Sequence, residues 1–141
     1  MPKVSVIIPT YNCAHYLGQA IESVIGQTFR DFEIIVLDDG STDNTSEIAG
    51  KYGNAIRYIR QANGGLPAAR NRAIEASTGE FVALLDSDDW WAPTKLRRQL
   101  DFMAWHPEYV IAQTEEIWIR NGVRVNPGLR HRKRSGDPAW S

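Results

Sequence analysis

The sequence predicts an α/β fold in which a mainly parallel sheet carries helices on both faces. Two observations support this prediction. Short β-branched apolar runs alternate with amphipathic helical patterns over about the first hundred residues, and these runs are nearly continuous, as in strands buried on both faces. Strands that alternate with helices are joined by right-handed crossovers into a sheet that binds its ligands beyond the carboxyl ends of the strands.

Strands and helices are predicted in alternation up to residue 85. After the first strand, Leu17, Ile21 and Val24 recur at helical spacing, with Asn12 as a candidate cap. A proline in the first turn and a glycine after the end mark the third helix. In chain order the predicted strands cover residues 3–9, 32–37, 55–60 and 80–85, and the predicted helices cover residues 14–27, 46–53 and 66–77.

The pattern changes toward the end of the chain. A further helix with one apolar face is predicted over residues 94–107. Residues 109–125 then alternate around Asn121 and Gly122, a dipeptide typical of a β-hairpin turn. The tail has no periodicity and contains a basic run at residues 130–134. Since there are no internal repeats and no low-complexity linker, residues 1–141 are predicted to form a single domain.

Composition limits the class of protein. The chain has 141 residues, 43% hydrophobic and 23% charged, which is ordinary for a globular domain, and its formal net charge of −1 gives no general reason to bind nucleic acid. The single cysteine, Cys13, excludes an internal disulfide, and the three histidines are too scattered for a zinc site. Because there is no apolar run of about 18 residues and no signal peptide, we expect a cytoplasmic protein.

Three carboxylates, Asp86, Asp88 and Asp89, crowd the end of the fourth predicted strand. Like charges this close repel one another unless water or a cation intervenes. On an extended chain, Asp-x-Asp places two carboxylates on one side, about 6 to 7 Å apart, where they can share a hard dication. Mg²⁺ or Mn²⁺ suits such an incomplete oxygen site better than Ca²⁺. The alternative is that Asp88 or Asp89 only caps the following helix.

Other residues near the strand ends have two interpretations each. Asp39 can accept hydrogen bonds from a base or a ribose, or can serve only in a turn. Tyr11 can lie against a planar base or can pack in the fold. Arg70 can counter phosphate charge or can face solvent. Trp90 and Trp91 can wall a pocket, but we expect at least one of them in the core.

Taken together, these segments resemble the family 2 glycosyltransferases of the GT-A fold. The matching segments are "VSVIIPTYN", "AIESVIGQTFRDFEIIVLDDGSTDNT", "NGGLPAARNRAIEASTGEFVALLDSDD" and "WWAPTKLRRQLDFMAWHPE", and they cover about residue 3 to at least residue 110. Each motif is weak alone, but four in this order with the family's spacing are specific. The resemblance implies a Rossmann-like, three-layer GT-A domain that binds a nucleoside-diphosphate sugar, usually a uridine-linked one.

The family's pattern assigns roles to positions of this sequence. Asp39 would hold the nucleoside together with the loop after the first strand, and Asp86 would lie near the ribose or the sugar. Asp88, the second acid of the Asp-x-Asp motif, would coordinate Mg²⁺ or Mn²⁺ that bridges the diphosphate. The residues implied to contact the nucleotide sugar are Pro9, Tyr11, Asp39, Arg70, Asp86 and Ser87.

The family's reaction is an inverting displacement, in which an acceptor hydroxyl deprotonated by a carboxylate attacks the anomeric carbon as a metal stabilises the departing diphosphate. Family members carry the base in a further acidic segment, well after the hairpin region. Nothing after Val110 resembles that segment, because Glu115 and Glu116 fall too early. We therefore expect a domain truncated after its C-terminal hairpin, with the catalytic base beyond Ser141.

Two alternatives remain open at this point. One is a non-catalytic nucleotide-sugar-binding module, or a donor-binding fragment that lacks the base. The other is a nucleotidyltransferase, although "PTYNCAHYL" has no Gly-rich phosphate loop. For partners we expect a sugar donor and a saccharide or lipid-linked acceptor, with no nucleic acid. The basic run at residues 130–134 is either solvated charge or a contact with an anionic acceptor at the cytoplasmic membrane face, and exposed strand surface at residues 117–125 predicts a homodimer.

Overall fold

The computed structural model describes residues 2–105, 111–113 and 117–120. The elements follow one another in the predicted alternation of strand and helix. The strands are β1 (Val4–Thr10), β2 (Phe32–Asp38), β3 (Arg57–Arg60), β4 (Phe81–Leu84), β5 (Ile111–Gln113) and β6 (Ile117–Arg120). The α-helices are α1 (Ala14–Ile25), α2 (Thr45–Gly50), α3 (Leu66–Ala76) and α4 (Lys95–Trp105).

The described strands form one sheet in the order β3-β2-β1-β4-β6-β5. The pairs β1–β2, β1–β4 and β2–β3 are parallel, whereas β6 runs antiparallel to both β4 and β5. The predicted mainly parallel sheet is therefore confirmed. The chain adds β2 and β3 on one side of β1 and then returns to add β4 on the other side, so the strand order reverses between β1 and β4.

Helices cover both faces of the sheet because successive residues of a strand point to opposite sides. Val4, Val6 and Ile8 of β1 belong to an apolar cluster that includes side chains of α1, α2 and α4. Ile7 lies in a second cluster on the other face, where it packs with Ala69 and other side chains of α3, β2 and β4. The result is the three-layer arrangement expected from the sequence.

The predicted capping role of Asn12 is wrong. Helix α1 begins at Ala14 after Cys13, which makes no side-chain capping bond. Asn12 has a φ of +52°; its Oδ1 accepts a hydrogen bond from the N–H of Thr42 at 2.7 Å, and its N–H donates to Ser41 Oγ at 2.9 Å. Asn12 therefore ties the loop after β1 to the loop after β2 and fixes two strand ends relative to each other.

Strands β5 and β6 pair in antiparallel orientation, with Ala112 opposite Trp118. The predicted turn at Asn121 and Gly122 lies outside the described residues.

Strand β6 pairs with β4 on one side and with β5 on the other. The predicted self-association through residues 117–125 stays a prediction. The basic run at residues 130–134 lies outside the described residues. Among the helices that the structure describes, none is long and apolar enough to cross a membrane.

A hydrogen-bond network around Glu33 holds the amino-terminal edge of the sheet. The carboxylate accepts bonds from the hydroxyl of Ser5, from the N–H of Thr78 at 2.8 Å and from Arg57 Nη1 at 3.1 Å. Burial raises the pKa of Glu33, but these hydrogen bonds more than offset burial, so the pKa lies below its ordinary value of 4.5. This network joins β1, β2, β3 and the segment before β4.

Candidate functional site

A cleft of about 410 Å³ lies at the carboxyl ends of β1, β2 and β4. It lies where the strand order reverses around β1, which is where open α/β sheets bind their ligands. The cleft is lined by Pro9, Thr10, Tyr11, Cys13, Asp39, Asn63, Gly65, Leu66, Ala69, Asp86, Ser87 and Asp88.

Six of the seven site residues predicted from the sequence line this cleft together, at the ends of three separate strands. The seventh, Arg70, lies on α3 beside it, with Nη2 3.9 Å from Asp86 Oδ1. The parallel strands explain this convergence, because their carboxyl ends meet at one edge of the sheet. The ligand roles of these residues stay predictions.

Asp39 is buried at one wall of the cleft and is densely hydrogen bonded. Its Oδ1 accepts bonds from Gln61 Nε2 at 2.8 Å and from the N–H of Gly64 at 2.9 Å, and its Oδ2 accepts one from the N–H of Gly65 at 2.9 Å. Burial raises the pKa of Asp39, but the bonds from Gln61, Gly64 and Gly65 outweigh burial, and the pKa is lowered. Asp39 is therefore an ionised, acceptor-only group with one acceptor position on Oδ2 still open.

Asp38, the preceding residue, has a different role. Its side chain is fully buried, and it accepts bonds from Ser41 N–H at 2.9 Å, from Arg60 Nη1 at 3.2 Å and from the hydroxyl of Tyr58. These contacts hold the end of β2 to β3 and to the following loop. Of the two adjacent aspartates, only Asp39 faces the cleft.

The acidic residues after β4 lie on a turn and not on an extended strand, so the predicted geometry of the Asp-x-Asp motif is wrong. The N–H of Leu85 still bonds to the sheet, but the N–H of Asp89 then donates to the carbonyl of Asp86 at 3.0 Å. Ser87 and Asp88 are the central residues of this turn. Aspartate and serine favour such a turn, which ends the extended conformation.

The carboxylates of this turn fit a metal ion that arrives with a phosphate ligand. In the described part of the chain, no three His, Cys, Asp or Glu side chains are grouped so that they hold a metal by themselves. Asp86 and Asp88 are nevertheless exposed and line the same cleft. Mg²⁺ and Mn²⁺ typically take one or two carboxylates and complete their shell with water and phosphate oxygens. The donor set suits this kind of site and excludes a closed all-protein cage formed by the described residues.

Arg70 supplies positive charge on the other side of the turn. Its side chain is 35% exposed, and its buried Nε has no hydrogen-bond partner among the described residues. A separation of 3.9 Å from Asp86 makes only a loose ion pair, so both groups keep capacity for other partners. An arginine whose guanidinium is only loosely paired beside a cleft is suited to bind a phosphate oxygen.

The aromatic residues near the cleft divide between the core and the surface. Trp91 is buried in the core, which confirms that at least one of the two tryptophans packs there. Tyr11 is 48% exposed and lines the cleft, so its ring is available to a planar ligand. Trp90 is exposed outside the cleft, where it lines a shallow groove along α1.

Sequence reasoning missed several residues that shape the site. Gln27 is buried; its Nε2 donates to the carbonyl of Ala92 at 2.7 Å, and its Oε1 accepts from the N–H of Leu96 at the start of α4. Asn63 lines the cleft, and its Nδ2 donates to the carbonyl of Asp39 at 3.0 Å. A turn signal at residues 63–65 was visible, but nothing local indicated that this turn binds Asp39.

Comparisons with known proteins bear on the family of this chain. The family model described as Glycosyl transferase family 2 matches residues 5–135. An uncharacterized glycosyltransferase of Nostoc sp. is 49% identical over 100 residues, which are 68% of this chain and 31% of that protein. The uncharacterized glycosyltransferase YibD of Escherichia coli is 41% identical over 127 residues, which are 82% of this chain and 37% of YibD. The chain thus spans about a third of the length of these two curated relatives.

Solved structures agree with the predicted GT-A fold. TarS 1–349 of S. aureus, in complex with UDP-GlcNAc, superposes with a TM-score of 0.68 and 38% identity over 74% of this chain and 32% of that one. The mannosyltransferase PcManGT from Pyrobaculum calidifontis, solved with GDP-Man and Mn²⁺, gives a TM-score of 0.69 over 84% of this chain and 44% of that one. Its identity of 22% limits that likeness to the fold. With a family model that matches residues 5–135 and relatives more than 40% identical, this chain belongs to glycosyl transferase family 2.

Proposed function

We propose that this chain forms the donor-binding part of an inverting glycosyltransferase, which binds a UDP-sugar with Mg²⁺ or Mn²⁺ and transfers the sugar to an acceptor hydroxyl. The observation that carries the proposal is the placement of Asp39 and the Asp86–Asp88 turn on walls of one cleft, where the strand order reverses. A hydrogen-bond acceptor for a base at one end and carboxylates for a metal diphosphate at the other match the two ends of a nucleotide sugar.

The nucleoside would lie between Asp39, Tyr11 and Pro9. Asp39 offers an ionised oxygen with one open acceptor position, which pairs with a base that presents a ring N–H, as uracil does. Cytosine presents a lone pair at the same ring position and would repel this oxygen. The likeness to TarS, which has been solved in complex with UDP and with UDP-GlcNAc, supports uridine as the nucleoside.

The diphosphate would lie between Arg70 and the acidic turn. Asp88 would hold the metal, Asp86 with Ser87 would lie at the ribose or the sugar, and Arg70 would donate hydrogen bonds to phosphate oxygens. When bound, the dication offsets the charge that the diphosphate gains as it leaves.

In the proposed transfer, the acceptor oxygen forms a bond to the anomeric carbon from the face opposite the diphosphate, the bond from that carbon to the diphosphate oxygen breaks, and the hydroxyl proton passes to a carboxylate base. The family resemblance supports a carboxylate of a further acidic segment as this base. The same resemblance supports a saccharide or lipid-linked acceptor. The basic run at residues 130–134 is the reason to propose that the acceptor is reached at the cytoplasmic face of a membrane.

Calorimetry with UDP, GDP and CDP tests the proposal when each is titrated in Mn²⁺, in Mg²⁺ and in EDTA. We expect UDP to bind most tightly, and to bind more weakly in EDTA. Binding of none of the three nucleotides would refute the donor site, and equal UDP affinity with and without metal would refute the metal.

A further inference from the structure

Gln61 is the one side chain that donates a hydrogen bond to the Asp39 carboxylate among the described residues; the other two donors are backbone N–H groups. Gln61 follows β3 directly, and its own N–H donates to the carbonyl of Asp38 at 2.9 Å. The backbone of Gln61 is thus fixed to the end of β2, and its amide reaches Asp39 from a fixed base. Gln61 does not itself line the cleft.

The three bonds determine which acceptor position of Asp39 remains open. Gln61 and Gly64 take both acceptor positions of Oδ1, and Gly65 takes one position of Oδ2. Without the Gln61 amide, each carboxylate oxygen has one open acceptor position, and only two hydrogen bonds hold the carboxylate in its present rotation. The bond from Gln61 therefore leaves only Oδ2 with an open acceptor position, which can accept one hydrogen bond from a ligand.

We propose that Gln61 is a positioning residue for base recognition: its amide fixes the rotation of Asp39 so that Oδ2 accepts the ring N–H of the donor's base. This inference rests on the proposed function. It differs from a general structural role of Gln61, because it predicts an effect on the base end of the ligand alone.

The same bond favours the ionised form of Asp39, and this gives the proposal a second, independent readout. Burial raises the pKa of Asp39, and the bond from Gln61 heads the bonds that lower it. Loss of that bond should raise the pKa of Asp39. As the pH is lowered, Asp39 should then take up its proton, and the base should lose its acceptor, at a higher pH than in the parent.

Other titratable or charged groups surround Asp39 on three sides. On its sheet side they are Asp38, Tyr58 and Arg60. Across the cleft they are Asp86, Asp88 and Arg70, and on the loop after β1 they are Tyr11 and Cys13.

The test is Gln61→Met in the full chain, a change that keeps the length of the side chain and removes the donor. We expect UDP in Mn²⁺ to bind about 3- to 10-fold more weakly, as for loss of one hydrogen bond. Inorganic pyrophosphate, which has no base, should bind as it does to the parent. The acid limb of UDP binding, which is the pH range in which affinity falls on acidification, should move to higher pH. Gln19→Met, at an exposed glutamine of α1 outside the cleft, is the matched control and should change none of these values.

A second variant, Gln61→Glu, places a carboxylate beside Asp39 and should weaken UDP binding further, with a larger displacement of the acid limb. Unchanged UDP affinity and an unchanged acid limb in Gln61→Met would overturn the proposal. So would equal weakening of UDP and pyrophosphate, which would mean that the whole loop had moved. If the parent itself binds no UDP, the proposed function fails and this inference fails with it.

Discussion

Replacing Gly40 with alanine should destabilise the fold and disturb the base end of the cleft. Gly40 has a φ of +81°, and a Cβ there would lie 2.8 Å from the backbone nitrogen of Asn63 and 3.3 Å from its Cα. The left-handed backbone costs an alanine about 1 to 2 kcal/mol. The overlap costs about 1 to 3 kcal/mol more, because Asp39 holds Gly64 and Gly65 and the backbone at Asn63 cannot move away freely. We expect a total loss of about 2 to 5 kcal/mol.

Gly53→Ala separates the two contributions. Gly53 also has a positive φ, of +50°, but a Cβ there meets no described atom within 4 Å. It should lose only the backbone part, about 1 to 2 kcal/mol, and should keep the UDP affinity of the parent, whereas Gly40→Ala should weaken it. Urea unfolding followed by circular dichroism measures the stability, and calorimetry measures UDP binding. Equal destabilisation by the two substitutions would refute the argument that Asn63 restricts position 40.

Three further outcomes are expected. Asp88→Asn should remove the Mn²⁺-dependent part of UDP binding and leave the free energy of unfolding unchanged, and a variant that still responds to Mn²⁺ as the parent does would contradict this. Asp39→Ala should weaken uridine binding by about 1 to 3 kcal/mol, since a base donor loses its acceptor; if uridine binds both proteins equally, Asp39 serves only in its turn. Because the folded-state pKa of Glu33 lies below 4.5, its stabilisation is present above that pH and is lost as the pH falls toward the folded-state value. Glu33→Gln should lack this part of the acid destabilisation in urea unfolding, and an unchanged pH profile would speak against the network.

The strands and the location of the site could be predicted because both depend on local signals. Continuous apolar runs such as the one around Ile7 and Ile8 are needed wherever a strand is buried on both faces. Once parallel strands are predicted, their polar ends must converge. This is why the sequence predicts that Asp39, Asp86 and Asp88 lie close together.

What the sequence did not reveal depends on contacts between distant segments. Asp38 and Asp39 are chemically identical neighbours, and only the approach of β3 and of the 61–65 loop makes one structural and the other part of the cleft. Asn12 carried a local capping signal, yet its side chain bonds to a loop 30 residues away.

The acidic turn is anchored at both ends. Leu85 bonds to β1 on one side, and on the other side Trp91 is buried and Gln27 holds the carbonyl of Ala92. Only residues 86–90 lie between these anchors, so the turn has no slack to accommodate an added or deleted residue. For protein engineering, a library that aims to change the proposed metal preference should therefore vary side-chain identity at a constant length of this turn. A change in length would shift either the central strand pairing or the start of α4.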